Sequence, residues 1–495
     1  MALGIGYGLP FVAQHGTNPY KTQWAAALEG AKGAGATVED ENAGTGSCLV
    51  ARGQEAYTDG LPATPSLLIV PQFYKAGNLY QDVPPFVAED STMRFTVSRN
   101  TTATRVDSSG LIESVASGVP RIDWLGQSCP ALLVEASGQN LAFHSESWVS
   151  GNNWTLTDAA NVTGATSAPN GNATANALSP TAASGSHFVF SNGTTTVSYT
   201  SGTIYTQSAF FKAGTGAAGQ FVQLTFSSAR FTQTGYANFD LIAGTVSVVS
   251  GSSADANRAA RIENYGDGWY RCIFTATCNS TGTGAGLIIS LITSTGSGRL
   301  PSFTGVTGNV LYGWGAQVES GSIPTSYIST TAAAGSRAAD VISASGALVS
   351  GLIGQMEGTV YAEVDLRNWI ASGRILTCSN GTSNERIIIQ VGANRTLQAI
   401  VTTASADVVD ISTASGQVNG VYKCALTYAS GDFAFYVNGT QIGTDSSGGV
   451  PASTSVFLGK IETSASTNFL NDRIRAAALY TTRLTDAQLA ELTRL

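Results

Sequence analysis

Two carboxylates separated by a single residue are the sharpest catalytic candidate in the sequence. Glu363 and Asp365 flank Val364 in a run where apolar and polar residues alternate, and this alternation predicts a β-strand. Residues i and i+2 of a strand lie about 7 Å apart on the same face, so the pair has the geometry for acid/base chemistry. The alternative interpretation is a polar strand face that meets solvent.

Other catalytic signatures are missing from the sequence. Its three histidines are His15, His144 and His187, and neither an HExxH nor a GxSxG motif occurs. The six cysteines include no CxxC pair, and Cys272 and Cys424 lie in apolar, strand-like runs. We therefore expect buried free thiols, no metal site, no cofactor and no disulfide framework.

Exposed aromatic side chains are the second kind of functional candidate, because sugar rings stack on tryptophan and tyrosine. Trp148 and Trp154 flank a polar Gly-Asn-Asn loop, and Trp369 follows Asn368 in a predicted loop. These three residues are the predicted ligand-binding side chains. Trp269 and Trp314 lie within apolar strand runs and are predicted to be core residues.

The composition favours short strands and excludes some partners. Charged residues make up 12% of the chain, the net charge is −8, and there are 56 glycines. Soluble domains average about 25% charged residues. Without a run of Lys or Arg we expect no nucleic-acid binding, and without an apolar stretch of about 20 residues we expect no membrane insertion.

The first 138 residues are predicted to form two regions without a large core of their own. Residues 1–85 contain a helix candidate at Tyr20–Lys32 among Gly-rich and Pro-rich stretches. We interpret residues 1–85 as an irregular anchor that attaches the protein to a partner or to its own copies. Residues 86–138 contain short strand-like runs and are predicted to be a β connector.

The remaining chain predicts two β-sandwiches. Residues 139–330 contain strands at regular spacing with Gly, Ser and Asn turns, which indicates a jelly roll. Residues 331–345 are a Thr/Ala/Ser linker, and residues 346–495 are the second sandwich, with a type I′ turn at Asn438-Gly439 and a C-terminal helix capped by Thr485. The predicted fold class is mostly β, with tandem β-sandwich modules after an irregular N-terminal anchor region.

The last module resembles the laminin-G/concanavalin A-like sandwich family. The matching runs are Tyr422-Lys-Cys-Ala-Leu-Thr-Tyr, Phe435-Tyr-Val-Asn-Gly-Thr, Val456-Phe-Leu-Gly, Arg473-Ile-Arg-Ala-Ala-Ala-Leu-Tyr and Leu484-Thr-Asp-Ala-Gln-Leu. Laminarinase-type glycosidases of this superfamily carry Glu-x-Asp-x-x-Glu on one strand. Here Asn368 occupies the position of the second glutamate, so the resemblance implies binding without hydrolysis. We therefore favour the solvent-facing interpretation of Glu363 and Asp365 and expect no enzyme.

The region from about 93 to 345 resembles a layout found in bacteriophage tail-fibre and receptor-binding structural proteins. The matching pieces, in order, are Thr104-Arg-Val-Asp-Ser-Ser-Gly-Leu-Ile, Val119-Pro-Arg-Ile-Asp, Cys129-Pro-Ala-Leu-Leu-Val-Glu, Gln139-Asn-Leu, Ser145-Glu-Ser-Trp, Asn153-Trp-Thr, Gly266-Asp-Gly-Trp-Tyr-Arg, Trp314-Gly-Ala-Gln-Val-Glu-Ser-Gly, Pro324-Thr-Ser-Tyr-Ile and Arg337-Ala-Ala-Asp. In that family such pieces form a lectin-like jelly roll on the particle.

The resemblances imply a virion structural protein, such as a tail fibre, head fibre or similar appendage. Its partners would be other virion proteins, bound through residues 1–85, and a host-surface glycan, bound by the two modules. By analogy with phage fibres it would be a homotrimer on the particle surface. A purely architectural decoration protein without glycan binding and a glycan depolymerase are the two alternatives.

Overall fold

The computed structural model describes residues 94–126, 130–191, 197–251, 253–461 and 468–495, with short pieces at 63, 65–69, 71, 74–75 and 78–80. The predicted helix Tyr20–Lys32 lies outside these residues. The described chain is mostly β and folds into β-sandwiches, which confirms the predicted fold class.

The chain forms two compact units that divide it differently from the predicted plan. Unit 2 comprises Ser109–Ser114 and Ser137–Arg337, and unit 1 comprises the described residues of Met1–Ser108 together with Val115–Ala136 and Ala338–Leu495. The jelly-roll unit is therefore inserted into the sequence of the other unit. The segment interpreted as a connector at 86–138 instead supplies strands to unit 1.

In the described residues, eight strands precede the long segment of unit 2. They are β1 (Leu67–Ile69), β2 (Tyr74–Lys75), β3 (Asn78–Tyr80), β4 (Arg94–Ser98), β5 (Ala103–Val106), β6 (Ile112–Val115), β7 (Arg121–Asp123) and β8 (Ala131–Val134).

Eighteen strands follow in the described part of the segment Ser137–Arg337. They are β9 (Gly138–Asn140), β10 (Trp154–Thr157), β11 (Ala159–Thr163), β12 (Asn176–Pro180), β13 (Ser184–Ser186), β14 (Phe188–Ser191), β15 (Val197–Tyr199), β16 (Ile204–Thr215), β17 (Phe221–Thr225), β18 (Tyr236–Asp240), β19 (Thr245–Ser250), β20 (Ala259–Asn264), β21 (Trp269–Thr277), β22 (Gly282–Gly284), β23 (Ile288–Ile292), β24 (Ser302–Thr304), β25 (Val310–Ser320) and β26 (Gly335–Arg337). A 3₁₀ turn at Ala217–Gly219 separates β16 from β17.

The C-terminal part returns to unit 1. Its elements are β27 (Val341–Ser345), α1 (Ala347–Leu352), β28 (Glu357–Leu366), β29 (Arg374–Ser379), β30 (Arg386–Gly392), β31 (Thr396–Thr403), β32 (Ala406–Ser412), β33 (Gly420–Ala429), β34 (Asp432–Val437), β35 (Thr440–Asp445), β36 (Ser455–Leu458), β37 (Asp472–Tyr480) and α2 (Asp486–Leu492).

Unit 1 is a sandwich of two large sheets. Sheet I has the order β35-β34-β33-β28-β37-β8-β7, with β1 also paired to β37, and sheet II has the order β2-β3-β4-β27-β36-β29-β30-β31-β32. Leu132 and Val134 of β8 share one buried core with Val364 of β28 and Ile389 of β30. The early strands are thus integral to this sandwich. Local sequence patterns do not reveal such pairing across more than 300 residues of chain.

Unit 2 is a second sandwich, as predicted for the jelly roll. Sheet III has the order β10-β14-β23-β17-β18-β19, and sheet IV has the order β11-β12-β25-β16-β21-β20. Side chains from both sheets, including Val222 and Leu224 of sheet III and Phe211 and Phe274 of sheet IV, form its core. Successive residues of a strand point to opposite faces, so the residues beside these core residues lie on the outer faces of the two sheets.

Several local predictions are confirmed. Asn438 and Gly439 have φ values of 50° and 79° between β34 and β35, as a type I′ turn requires. Thr485 caps α2 in a reciprocal capping box with Gln488. Trp269 and Trp314 are buried core residues. The four described cysteines are buried free thiols at Cys272, Cys278, Cys378 and Cys424.

A buried ion cluster lies where the chain leaves unit 1 and where it returns. The Asp340 carboxylate accepts hydrogen bonds from Arg99 Nη1 at 2.8 Å and from Arg121 Nη2, and these side chains are at most 1% exposed. Arg121 also donates to Glu135 Oε2 at 2.7 Å. The backbone N–H of Asp340 donates to Glu135 O at 2.9 Å, and Glu135 N–H donates back to Asp340 Oδ2 at 3.0 Å. Residues 135 and 340 are therefore joined directly.

Replacing Asp340 is predicted to destabilise unit 1 strongly. Asp340→Ala leaves two buried guanidinium groups without their shared carboxylate, and breaking a buried ion pair in this way costs about 3–5 kcal/mol. The control Glu491→Ala removes an exposed pair with Arg494 in the same unit, and such pairs contribute about 0–1 kcal/mol. Urea unfolding measures both variants, and equal losses in the two would contradict the assigned role of Asp340.

Candidate functional site

The structure contradicts the prediction that Trp148 and Trp154 form a ligand platform. Their exposures are 0% and 2%, and their rings stack on each other with centroids 5.1 Å apart. Trp148 Nε1 donates to Ser145 O at 2.8 Å, and Trp154 Nε1 donates to Phe143 O at 3.1 Å. Asn153 adopts a left-handed conformation (φ 63°) immediately before β10. Both rings belong to the core of unit 2, so neither offers a face to a ligand.

The sequence pieces around Ser145, Gln317 and Tyr327 come together in a buried polar cluster on the outer face of sheet IV. Glu319 Oε1 accepts from Thr325 Oγ1 at 2.7 Å, and Gln317 Oε1 accepts from Ile328 N–H at 2.8 Å. Ser145 Oγ lies 2.7 Å from Tyr327 Oη. Burial raises the pKa of the Glu319 carboxyl. These contacts hold the segment after β25 against the sheet, which is a structural role.

The carboxylates Glu363 and Asp365 are buried, contrary to the expectation of a solvent-facing polar strand. Glu363 is 3% exposed and lies 2.7 Å from Arg475 Nε, while Asp365 is 7% exposed and lies 2.8 Å from Arg367 Nη2. Arg475 on the neighbouring strand β37 and Arg367, which directly follows β28, neutralise the two charges. Strand alternation cannot predict this pairing. Asn368 Nδ2 donates to Asn471 O at 2.8 Å.

Trp369 is the predicted ligand residue that the structure leaves partly accessible. Its half-buried ring meets Tyr422 edge-on, with centroids 5.6 Å apart and an interplanar angle of 84°. Trp369 Nε1 donates to Oδ1 of the exposed Asn419 at 3.0 Å, and the neighbouring Val418 is 70% exposed. Arg395 O accepts from Gln417 N–H at 3.0 Å, so the exposed Arg395 lies beside the same loop. We call Trp369, Arg395, Val418 and Asn419 the Trp369 surface.

Several left-handed residues lie in the loops at this end of unit 1. Ser372, Asn394, Arg395 and Asn471 have φ values of 64°, 54°, 56° and 53°. Non-glycine residues pay a conformational penalty there, and such strain is often associated with binding or catalytic loops. The composition of these loops gives no signal in the sequence. Their common feature is the backbone geometry, which only the structure shows.

Asp472 orders the backbone that carries Trp369. Its Oδ2 accepts the N–H groups of Arg367 and Asn368, each at 2.6 Å. Burial raises the pKa of the Asp472 carboxyl to about 7, although Arg473 and the two backbone N–H groups act in the opposite direction. The side chain of Asn471 in turn accepts from Ala136 N–H at 2.8 Å. Asp472, a buried titratable group, therefore binds the backbone of the residue that directly precedes Trp369.

A known protein family matches the C-terminal part of the chain. The Laminin_G_3 profile, described as the concanavalin A-like lectin/glucanases superfamily, matches residues 339–490. Residues 339–490 form a laminin-G/concanavalin A-like domain. The family match excludes β1, β4, β7 and β8, which complete the same sandwich. A search of curated protein sequences finds no match.

Comparison with solved structures gives partial matches to several proteins. The CBM40 module of a Ruminococcus gnavus IT-sialidase is 15% identical, with a TM-score of 0.26, and the match covers 28% of this chain and 83% of that one. Domain 4 of the arabinanase AbnA from Geobacillus stearothermophilus is 17% identical, with a TM-score of 0.26 and coverages of 32% and 73%. A SAP-like pentraxin from Limulus polyphemus is 20% identical, with a TM-score of 0.22 and coverages of 27% and 68%.

The described residues contain neither a cluster of metal-ligating side chains nor a membrane-spanning helix. No group of three or more His, Cys, Asp or Glu side chains there is placed to hold a metal ion. Within the same residues, no helix has the length and apolar character needed to cross a membrane.

The pKa of Asp472 predicts a pH-dependent stability. The carboxyl pKa rises from an ordinary value of 3.8 to about 7 on folding, so between these values the folded state binds more protons than the unfolded state. The stabilising contribution is complete below about pH 4 and is lost as the pH rises through 7. Relative to Asp472→Asn, the wild type should lose up to about 1.4 kcal/mol per pH unit in this window.

Urea unfolding at several pH values measures this difference. Asp432→Asn, at a carboxylate whose side chain is 56% exposed, is the matched control and should follow the wild-type profile. A constant difference between the wild type and Asp472→Asn from pH 4 to 7 would show that Asp472 does not titrate there.

Proposed function

We propose that the protein binds glycans through the Trp369 surface of its laminin-G/concanavalin A-like domain. The observation that carries the proposal is the partly exposed Trp369 ring, fixed by Tyr422 and by the exposed amide of Asn419. The superfamily to which residues 339–490 match includes lectins. Trp148 and Trp154 are excluded from the proposal because they are buried.

The side chains of this surface suit a polyhydroxylated ligand. An indole ring offers an apolar face with a polar edge, the combination that packs against the C–H face of a sugar ring. The second lone pair of Asn419 Oδ1 and the exposed guanidinium of Arg395 supply hydrogen-bonding groups for hydroxyls. Arg395 is itself left-handed and lies on the short turn between β30 and β31, which limits the entropy that its backbone loses on binding.

We further propose that the glycan is on a host surface and that the protein is a phage appendage located on the virion. Support comes from the order of sequence pieces between about 93 and 345, which resembles phage tail-fibre and receptor-binding proteins. Attachment to other virion proteins through residues 1–85 and a homotrimeric state belong to the same proposal. Both rest on analogy with phage fibres.

Binding without catalysis is the proposed activity. The carboxylates that could do acid/base work, Glu363 and Asp365, are engaged with Arg475 and Arg367. The family's second glutamate position holds Asn368, whose amide donates to Asn471 O. An architectural role without glycan binding is the second candidate, and the structural use of the phage-like pieces of unit 2 favours it.

Replacing Trp369 tests the proposed site. On a glycan array, the intact chain should bind a defined set of glycans, and Trp369→Ala should weaken that binding by roughly fivefold or more, because stacking on an aromatic ring contributes at least about 1 kcal/mol. Trp369→Phe keeps an aromatic face and should retain part of the affinity. Met356→Ala, at an 82% exposed side chain, is the control and should bind as the wild type does.

Two outcomes would decide against glycan binding at this surface. One is an array with no bound glycan for the wild type, which would favour the architectural role. The other is unchanged binding by Trp369→Ala, which would move the site elsewhere. Release of reducing ends from host polysaccharide, abolished by replacing Glu363, would instead identify a depolymerase.

A further inference from the structure

The outer face of sheet III in unit 2 carries partly exposed aromatic side chains. Val189 points into the core, so its neighbours Phe188 and Phe190 lie on the outer face, where both are half-buried and their rings are 6.1 Å apart. The strand register continues this face from Phe190 through Ile288 and Thr225 to the half-buried Tyr236. The face is apolar at one side and polar in its middle.

A loop after β23 fixes Arg299 over the polar middle of this face. The fully buried Gln223 amide clamps both neighbours of Arg299: its Nε2 donates to Gly298 O at 2.8 Å, and its Oε1 accepts from Leu300 N–H at 2.8 Å. Asn238 Nδ2, also fully buried, donates to Ser297 O at 2.7 Å. Two buried amides therefore determine the position of the Arg299 backbone.

Leu300, the residue after Arg299, adopts a strained conformation. Its φ is 46°, a left-handed value that is unusual for a side chain of this size. Such a conformation persists only where the surroundings enforce it, and the Gln223 clamp does so. Positioning Arg299 thus has an energetic cost, which a loop with no task beyond connecting two strands would not need.

The guanidinium of Arg299 carries a charge that no acidic side chain balances in the described residues. Its Nε donates to Thr225 Oγ1 at 2.9 Å, and its Nη2 donates to Phe226 O at 2.9 Å. Both acceptors are neutral, and the described residues form no ion pair with it. Burial lowers the pKa of Arg299, and no neighbouring charge contributes to that shift. Three of its five N–H groups are left for a ligand.

We propose that Arg299 and Phe190 form a binding site for a carboxylate-bearing saccharide. The half-buried guanidinium pairs with the carboxylate, because a planar fork of N–H donors matches two carboxylate oxygens. The apolar face of the sugar ring lies against Phe190. Charge complementarity selects an acidic sugar over a neutral one. The site extends the proposed glycan binding to the second unit and specifies the ligand's charge.

Calorimetric titration of the intact chain with two matched probes tests this site. One probe is an oligogalacturonate, and the other is the same oligosaccharide with its carboxylates reduced to neutral alcohols. The wild type should bind the acidic probe at least roughly tenfold more tightly than the neutral one, as expected for a charge-assisted hydrogen bond. Arg299→Gln should lose this preference.

Lys212→Ala provides the matched control. It removes one positive charge from unit 2 on the opposite sheet, where Lys212 forms a partly exposed pair with Asp267. This variant should keep the preference for the acidic probe, and thermal unfolding checks that each variant remains folded. The comparison of the two probes on the wild type needs no variant and is therefore independent of any folding defect.

Four outcomes would overturn the site. They are equal affinity of the wild type for both probes, no binding of the acidic probe at millimolar concentration, binding of inorganic phosphate alone, and retention of the preference by Arg299→Gln. Trp369→Ala separates this inference from the proposed function, since it should leave the Arg299-dependent preference intact. If the wild type bound no glycan on the array but still preferred the acidic probe, only the proposed Trp369 site would have failed.

Discussion

The buried carboxylate of Asp340 is the interaction on which the architecture of unit 1 depends. It balances Arg99 and Arg121, two guanidinium groups within the same unit, at sites with almost no access to solvent. Burying charges is unfavourable unless each is paired and hydrogen-bonded. Asp340 N–H also donates to Glu135 O, and Glu135 N–H donates to Asp340 Oδ2. The ion cluster therefore fixes the two points between which some 200 residues are inserted.

Consecutive contacts within unit 1 connect the ion cluster around Asp340 to the Trp369 surface. Strand β8 ends next to Glu135 and pairs Val134 with Asp472 at the start of β37. Ala136 holds Asn471, and Asp472 holds the backbone of Arg367 and Asn368. Trp369 follows directly. Residues outside the family match therefore help to position the residue on which the proposed glycan binding depends.

The sequence predicted the local features well and the long-range ones poorly. The turn at Asn438-Gly439, the cap at Thr485 and the apolar side of β28 follow from propensity and periodicity over a few residues. Burial of Trp148 and Trp154 depends on a left-handed Asn153 and on strands far along the chain. Glu363 and Asp365 look like solvent-facing residues until Arg475 and Arg367 are placed beside them. Arg299 has no sequence signal, because the buried amides that clamp its neighbours come from β17 and β18.

Unit 1 is one fold built from the sequence before and the sequence after the long segment of unit 2, and this claim has a direct test. A chain in which Ala136 is joined to Ala338 by a short Gly-Ser link should unfold cooperatively in urea, because residues 135 and 340 are already hydrogen-bonded. The fragment 339–490, which spans the entire family match, should show no cooperative transition, because it lacks β4, β7, β8 and Arg121. Cooperative unfolding of that fragment with the stability of the joined chain would contradict the account.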